Sequence, residues 1–262
     1  MSSLEFHLFW ITLAPSFYGF MYVIWLFSGY YIVKKRKFIE NDKLDNLLFY
    51  IFLWIILGWR IGYILFYNLP YYLSHLSEIP QVWKGGMSFH GGALWVIIAC
   101  LLFTKYYKIS FYKIIDEVAY VSTIGLFFGR IWNYYNKELL GFHYDGPLAI
   151  IKDGVGYFPT PILEATLEGL FLFVILSYFN SNKKFEWQVW SLFLILYGLF
   201  RLWVELWFRM PDEHLGYIYG PLSLGAILSI CMIIAGVIAY MYLWFKNEHG
   251  SPSGKKKSKK KK

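Results

Sequence analysis

Residues 47–68 read LLFYIFLWIILGWRIGYILFYN, an apolar run carrying a single charge, Arg60. A helix needs about 20 mainly apolar residues to cross the hydrocarbon of a bilayer, so this run predicts a span. The same reading applies elsewhere in the chain and gives seven candidate spans, at about 14–33, 47–68, 88–104, 114–133, 162–180, 187–208 and 220–245. Composition agrees. Of the 262 residues, 58% are hydrophobic, 23% aromatic and only 16% charged. A soluble domain is nearer ~25% charged and has no room to hide so many rings. Disordered and disulfide-framework classes are excluded by the same figures. The predicted fold class is an all-α polytopic membrane protein of about seven transmembrane helices. One membrane domain is expected over 1–249, followed by a flexible lysine-rich tail over 250–262.

The formal net charge of +8 belongs mostly to that tail, since Lys255–Lys262 contains seven lysines. No basic face remains for nucleic acid, so no nucleic-acid partner is expected. The tail reads either as a cytoplasmic anchor to anionic lipid or as an irrelevant extension. Cys100 and Cys231 stand alone in apolar runs, with no spacing for a metal site or a disulfide framework. The first span is not read as a cleaved signal peptide, because no basic residue precedes Lys34.

Basic residues alternate along the connections. Lys34, Lys35, Arg36, Lys37 and Lys43 follow the first span, and Lys84 alone follows the second. Lys105, Lys108 and Lys113 follow the third, and Lys137 and Lys152 are spread over the longer fourth connection. Lys183 and Lys184 crowd a short fifth connection, Arg209 alone serves the sixth, and Lys246 lies in the last segment. The positive-inside rule then puts the N-terminus outside and the C-terminus in the cytoplasm.

Ionisable groups at membrane depth are costly and mark functional sites by default. Here they are Arg60, His90, Arg130, Glu164, Glu168, Arg201 and Glu205, with Asn133 and Glu138 beside Arg130. Tyr197, Arg201, Glu205 and Arg209 recur every four residues, so they share one helical stripe on which Arg201 and Glu205 can pair. Two readings compete. Buried ion pairs can simply lock helices together. Alternatively, arginines gathered at one face can bind a lipid phosphate through their forked donors. The inferred topology favours the second. His90, Arg130, Asn133, Glu138 and Arg209 fall at outer helix ends, and Tyr18 and Arg60 in outer halves.

At these residues the chain resembles the prolipoprotein diacylglyceryl transferase family. The resemblance begins at Tyr18-Gly19-Phe20-Met21-Tyr22 and continues through Arg60-Ile61-Gly62-Tyr63 and Trp83 to Gly92, which contains His90. Its signature segment is Gly129-Arg130-Ile131-Trp132-Asn133 through Glu138 to Gly141. Pro159 to Gly169, Tyr197-Gly198-Leu199-Phe200-Arg201 through Glu205 and Arg209, and Leu222-Ser223-Leu224-Gly225 complete it. Trp132 and Lys137 stand where the family usually has glycine, Ala226 where it has glutamine, and one extra residue separates Glu205 from Arg209.

The resemblance implies transfer of the sn-1,2-diacylglyceryl group from phosphatidylglycerol to the lipobox cysteine of preprolipoprotein signal peptides, the first step of bacterial lipoprotein maturation. It implies a multi-pass protein of the bacterial cytoplasmic (inner) membrane, with its site facing the outer leaflet. The residues matching the family's functional positions are Tyr18, His90, Arg130, Asn133, Glu138, Gly141, Tyr197, Arg201 and Glu205. A thiol is mostly protonated near neutrality, so a base is needed, and His90 has the chemistry for it. Arg130 and Arg201 suit the charge that develops on the departing phosphate. Arg60, Asn133, Glu138, Gly141, Tyr18, Tyr197, Glu205 and Arg209 are the expected substrate-binding set. No cofactor and no metal is called for. The competing readings are a non-catalytic lipid-binding homologue and a membrane transporter, the latter requiring midplane polar groups and paired broken helices.

Overall fold

The computed structural model describes residues 6–8, 11–13, 17–82, 89–211 and 216–249. The side chains of Tyr18 and His90, the segment 83–88 and the tail 250–262 lie outside the described residues. The chain is mostly helical: α1 (Phe17–Lys35), α2 (Asn41–Tyr67), α3 (Leu69–Ser74), α4 (Phe89–Tyr107), α5 (Phe111–Tyr135), α6 (Thr160–Ser181), α7 (Gln188–Trp207) and α8 (Leu224–His249). Three small antiparallel hairpins accompany them, pairing β1 (Phe6–Leu8) with β2 (Ile11–Leu13), β3 (Ile150–Lys152) with β4 (Val155–Tyr157), and β5 (Tyr217–Tyr219) with β6 (Leu222–Ser223).

A helix runs through each of the seven apolar stretches. Among the described residues, four are long and apolar enough to cross a bilayer: Asn41–Leu65, Thr160–Ser181, Gln188–Trp207 and Leu224–Glu248. Leu94–Tyr107 is apolar but shorter. α5, with Asp116, Glu117, Arg130 and Asn133 along it, is not among them.

The chain divides into two compact units, Tyr30–Ile115 and a second comprising Met1–Gly29 with Asp116–Lys262. In the first, α2 packs against α4. Trp54 stacks on Trp95 at 5.1 Å and Tyr50 meets Phe103 edge-on at 5.9 Å. Ala99, Cys100 and Phe103 are fully buried. Arg60, on α2, is buried too, and donates to the carbonyls of Ile79 (2.9 Å) and Glu78 (2.6 Å) while its guanidinium lies 5.0 Å from the centre of the Tyr72 ring.

In the second unit α7 and α8 form the most extensive helix pair. α1 is tied to α5 by Trp25, whose indole N–H donates to the Val121 carbonyl at 2.9 Å. α6 shows the polarity of the unit most clearly. Glu164, Glu168, Leu172 and Leu176 form its buried face, whereas Leu170, Phe171, Val174 and Tyr178 are exposed. Charge inside and large apolar groups outside is the arrangement expected in a hydrocarbon solvent. The protein is a membrane protein.

α7 is anchored at its start by a carboxylate from another helix. Asp116 of α5 is fully buried and accepts the backbone N–H groups of Trp187 and Trp190, both at 2.9 Å, with Lys183 Nζ at 3.4 Å. An anion there satisfies orphan donors and complements the positive end of the helix. Glu117 and Asn180 pair beside it at 3.2 Å. This polar group lies at the opposite end of α5, α6 and α7 from the cluster described next.

Candidate functional site

Pro159 and Pro161 open α6, where the missing N–H of a proline costs nothing, and put Glu164 within its first two turns. The next residues, Ala165–Phe171, adopt π-helical i→i+5 bonding, a wider turn that recurs at functional sites. Gly169 sits inside that turn. A Cβ there would come within 2.6–2.7 Å of Phe127 Cβ and Cα, so its absence lets α6 lie directly against α5, one turn from Arg130. α7 then brings Tyr197, Arg201 and Glu205 along one face, as their spacing predicts, with the Tyr197 ring stacked on Phe193 at 5.5 Å.

Three arginines and three glutamates meet there. Glu164, fully buried, touches all three cations: Arg130 Nε at 3.1 Å from its Oε2, Arg209 Nη1 at 3.2 Å from its Oε1, and Arg201 Nη1 in a short contact with the same Oε1. Glu168, also fully buried, lies 3.2 Å from Arg130 Nη2 and 3.6 Å from Arg201 Nη1. Glu205 holds Arg201 Nη2 at 2.6 Å and Arg209 Nε at 3.5 Å. Ser223 donates to Glu205 at 2.7 Å and accepts the Ala226 N–H at 3.1 Å, so one hydroxyl starts α8 and orients the carboxylate.

Arg209 does not continue the helical stripe that its spacing predicts, because α7 ends at Trp207. It instead follows Phe208 into an antiparallel bridge with Gly141. Phe142 N–H donates to the Phe208 carbonyl and Met210 N–H to that of Leu140, each at 3.1 Å. A Cβ on Gly141 would fall 2.5 Å from the Phe208 carbonyl oxygen and the Thr160 hydroxyl, so the strands approach only because position 141 is glycine. Gly141 therefore acts on the cluster by aiming Arg209 at Glu164.

Asn133 and Glu138 are brought together at the end of α5. Asn133 donates to Glu138 Oε2 at 2.6 Å and Asn136 to Oε1 at 3.1 Å, fastening the turn that leaves α5. Arg60 and His90 belong to the other unit. His90 is the second residue of α4, as the sequence predicts, and its side chain lies outside the described residues. Glu164, Glu168 and Ser223 are absent from the expected binding set. The two glutamates had a visible signal, charge at membrane depth four residues apart. Ser223 lies in the Leu222–Gly225 segment of the resemblance, but its spacing carries no signal beyond that of an ordinary capping residue.

Chemically, the arrangement is an array of forked cation donors held in fixed directions by buried carboxylates. Such an array suits a phosphate oxyanion.

The family model for prolipoprotein diacylglyceryl transferase matches residues 6–242. A phosphatidylglycerol–prolipoprotein diacylglyceryl transferase of Hydrogenovibrio crunogenus is 39% identical over 260 residues, covering 92% of this chain and 96% of its own. Proteins of the same name from Nitratidesulfovibrio vulgaris strain DP4 and Geobacter sulfurreducens are 40% and 41% identical. They cover 87% and 84% of this chain, and 90% and 87% of their own. Matched by that family's model over residues 6–242 and by relatives of this name over most of its length, the chain belongs to the prolipoprotein diacylglyceryl transferases.

Proposed function

We propose that the protein transfers the sn-1,2-diacylglyceryl group of phosphatidylglycerol to the lipobox cysteine thiol of preprolipoproteins, forming a thioether and releasing glycerol phosphate. The observation that carries this reading is the convergence of Arg130, Arg201 and Arg209 on buried glutamates at one end of α5–α8. The thiol must lose its proton to become a nucleophile, and His90 is the base. The thiolate attacks the glyceryl carbon while the carbon–oxygen bond to phosphate breaks. The leaving oxygen keeps the bonding pair, and Arg130 and Arg201 stabilise the added negative charge. Glu205 holds Arg201 in direction, and Asn133 and Glu138 frame the region of the headgroup, with Tyr18, Arg60, Gly141, Tyr197 and Arg209 completing the binding set.

The basic-residue count supports seven crossings with the N-terminus outside. The cluster then faces the outer leaflet of the bacterial cytoplasmic membrane, where exported signal peptides and phosphatidylglycerol meet. The test is to supply phosphatidylglycerol radiolabelled in its headgroup glycerol. Water-soluble labelled glycerol phosphate should appear only when a peptide with a lipobox cysteine is added. Its appearance without the peptide, or not at all, would contradict the reading.

A further inference from the structure

Arg201 and Glu205 pair across one turn of α7, but both side chains are long and turn about several bonds, so the pair alone fixes the direction of neither. What fixes the carboxylate comes from the next helix. Ser223 ends β6 and immediately precedes α8. A serine hydroxyl has one proton to give and lone pairs to accept with. Here it accepts the Ala226 N–H at 3.1 Å, as an N-cap does, and its proton goes to Glu205 Oε2 at 2.7 Å. Gly225 makes room for the other oxygen. A Cβ on Gly225 would stand 2.5 Å from Glu205 Oε1 and 2.8 Å from its Cδ. Oε1 is the atom that meets Arg201 Nη2 at 2.6 Å and Arg209 Nε at 3.5 Å. The start of α8 is therefore a seat for one carboxylate, with a donor for one oxygen and space for the other.

The accessible members of the cluster are the arginines. The side chains of Arg130 and Arg201 keep 15% and 12% of their surface, against 4% for Glu205 and none for Glu164 and Glu168. An entering anion meets guanidinium edges first. Glu205 and then Ser223 follow in the chain of contacts, and Ser223 is itself buried.

We infer that Ser223 and Gly225 are positioning residues for diacylglyceryl transfer: by seating Glu205 they aim the fork of Arg201 at the phosphate that departs. This rests on the reading that the cluster holds the phosphate of phosphatidylglycerol. A fork that has lost its bearing keeps its charge but loses the paired geometry that grips an oxyanion.

The test is calorimetric titration of the full-length protein, in a non-ionic detergent, with glycerol phosphate, the leaving group of the proposed reaction. Two variants disturb the seat in different ways. Ser223→Gly removes the hydroxyl, and glycine is nearly as good an N-cap, so the start of α8 is kept. Gly225→Ala keeps the hydroxyl and favours the helix, but puts a methyl group against Oε1. Each should weaken Kd by about tenfold or more, the usual worth of a hydrogen bond to a charged group, at unchanged stoichiometry. Ser223→Thr, which keeps the donor, should bind like wild type. A purely structural role would lower the stoichiometry, through loss of folded protein, and leave Kd unmoved. That result in either Ser223→Gly or Gly225→Ala overturns the inference, as does a Ser223→Thr variant as weak as Ser223→Gly. Wild type that transfers the diacylglyceryl group yet does not bind glycerol phosphate overturns the inference alone. Wild type that does neither overturns the proposed function and the inference with it.

Discussion

Glu164 accounts for why three arginines can sit together under cover: one carboxylate touches all of them, and Glu168 and Glu205 share the remainder. Removing a partner from such a group is far more damaging than the net worth of any pair. The geometry of the donors therefore matters more than their charge. Arg130→Lys or Arg201→Lys keeps a cation but loses the planar fork, and each should lower the initial transfer rate by about 10²-fold or more. Full rates in both lysine variants would show that no phosphate is held there. His90→Gln keeps a hydrogen-bonding group but removes the base. Turnover should fall by about 10²–10⁴-fold with the protein still inserted. Wild-type activity should decline as acid protonates the imidazole, and the residual activity of the variant should lose that acid limb. An unchanged profile in the variant would make His90 a structural residue.

Helix by helix, the sequence and the structure part company at termini and between neighbours. Long apolar runs with local periodicity were readable, and so was the Arg201–Glu205 pair, because i and i+4 share a face on any helix. The position of Glu164 among three arginines was not, since it depends on how α5, α6 and α7 are rotated about their axes. That rotation is set by contacts such as Gly169 on Phe127 and by the π-helical turn, which no local spacing encodes. Arg209 leaves the stripe its spacing predicts for a related reason: its bridge with Gly141 is a pairing between distant segments. Asp116 offers a test at this scale. Asp116→Ala removes the carboxylate from the N-terminus of α7 and should cost about 0.5–2 kcal/mol. Thermal unfolding of the solubilised variant should begin earlier, while its transfer rate below that temperature stays close to wild type, because the arginines are at the far end. A loss of rate without a loss of stability would mean that Asp116 takes part in the chemistry.

For the molecule as a whole, membrane character follows from composition and from the inverted polarity of α6. The proposed sidedness rests on counting lysines and arginines between the expected spans. With Cys100 and Cys231 replaced, a single cysteine at Glu78 or Asp145 should react with an impermeant thiol reagent added outside intact cells. One at Asn182 should react only after permeabilisation. Labelling of the Asn182 position from outside would invert the topology and put the arginine cluster on the wrong side for an exported signal peptide. The central claim, that this cluster serves diacylglyceryl transfer to a thiol, is tested most directly by the mass of the acceptor. Purified protein, phosphatidylglycerol and a lipobox peptide should yield a peptide heavier by one diacylglyceryl group, carried on the cysteine, and no product when that cysteine is serine. A cysteine peptide recovered at its original mass, from protein shown to be folded and to bind the lipid, would contradict the account.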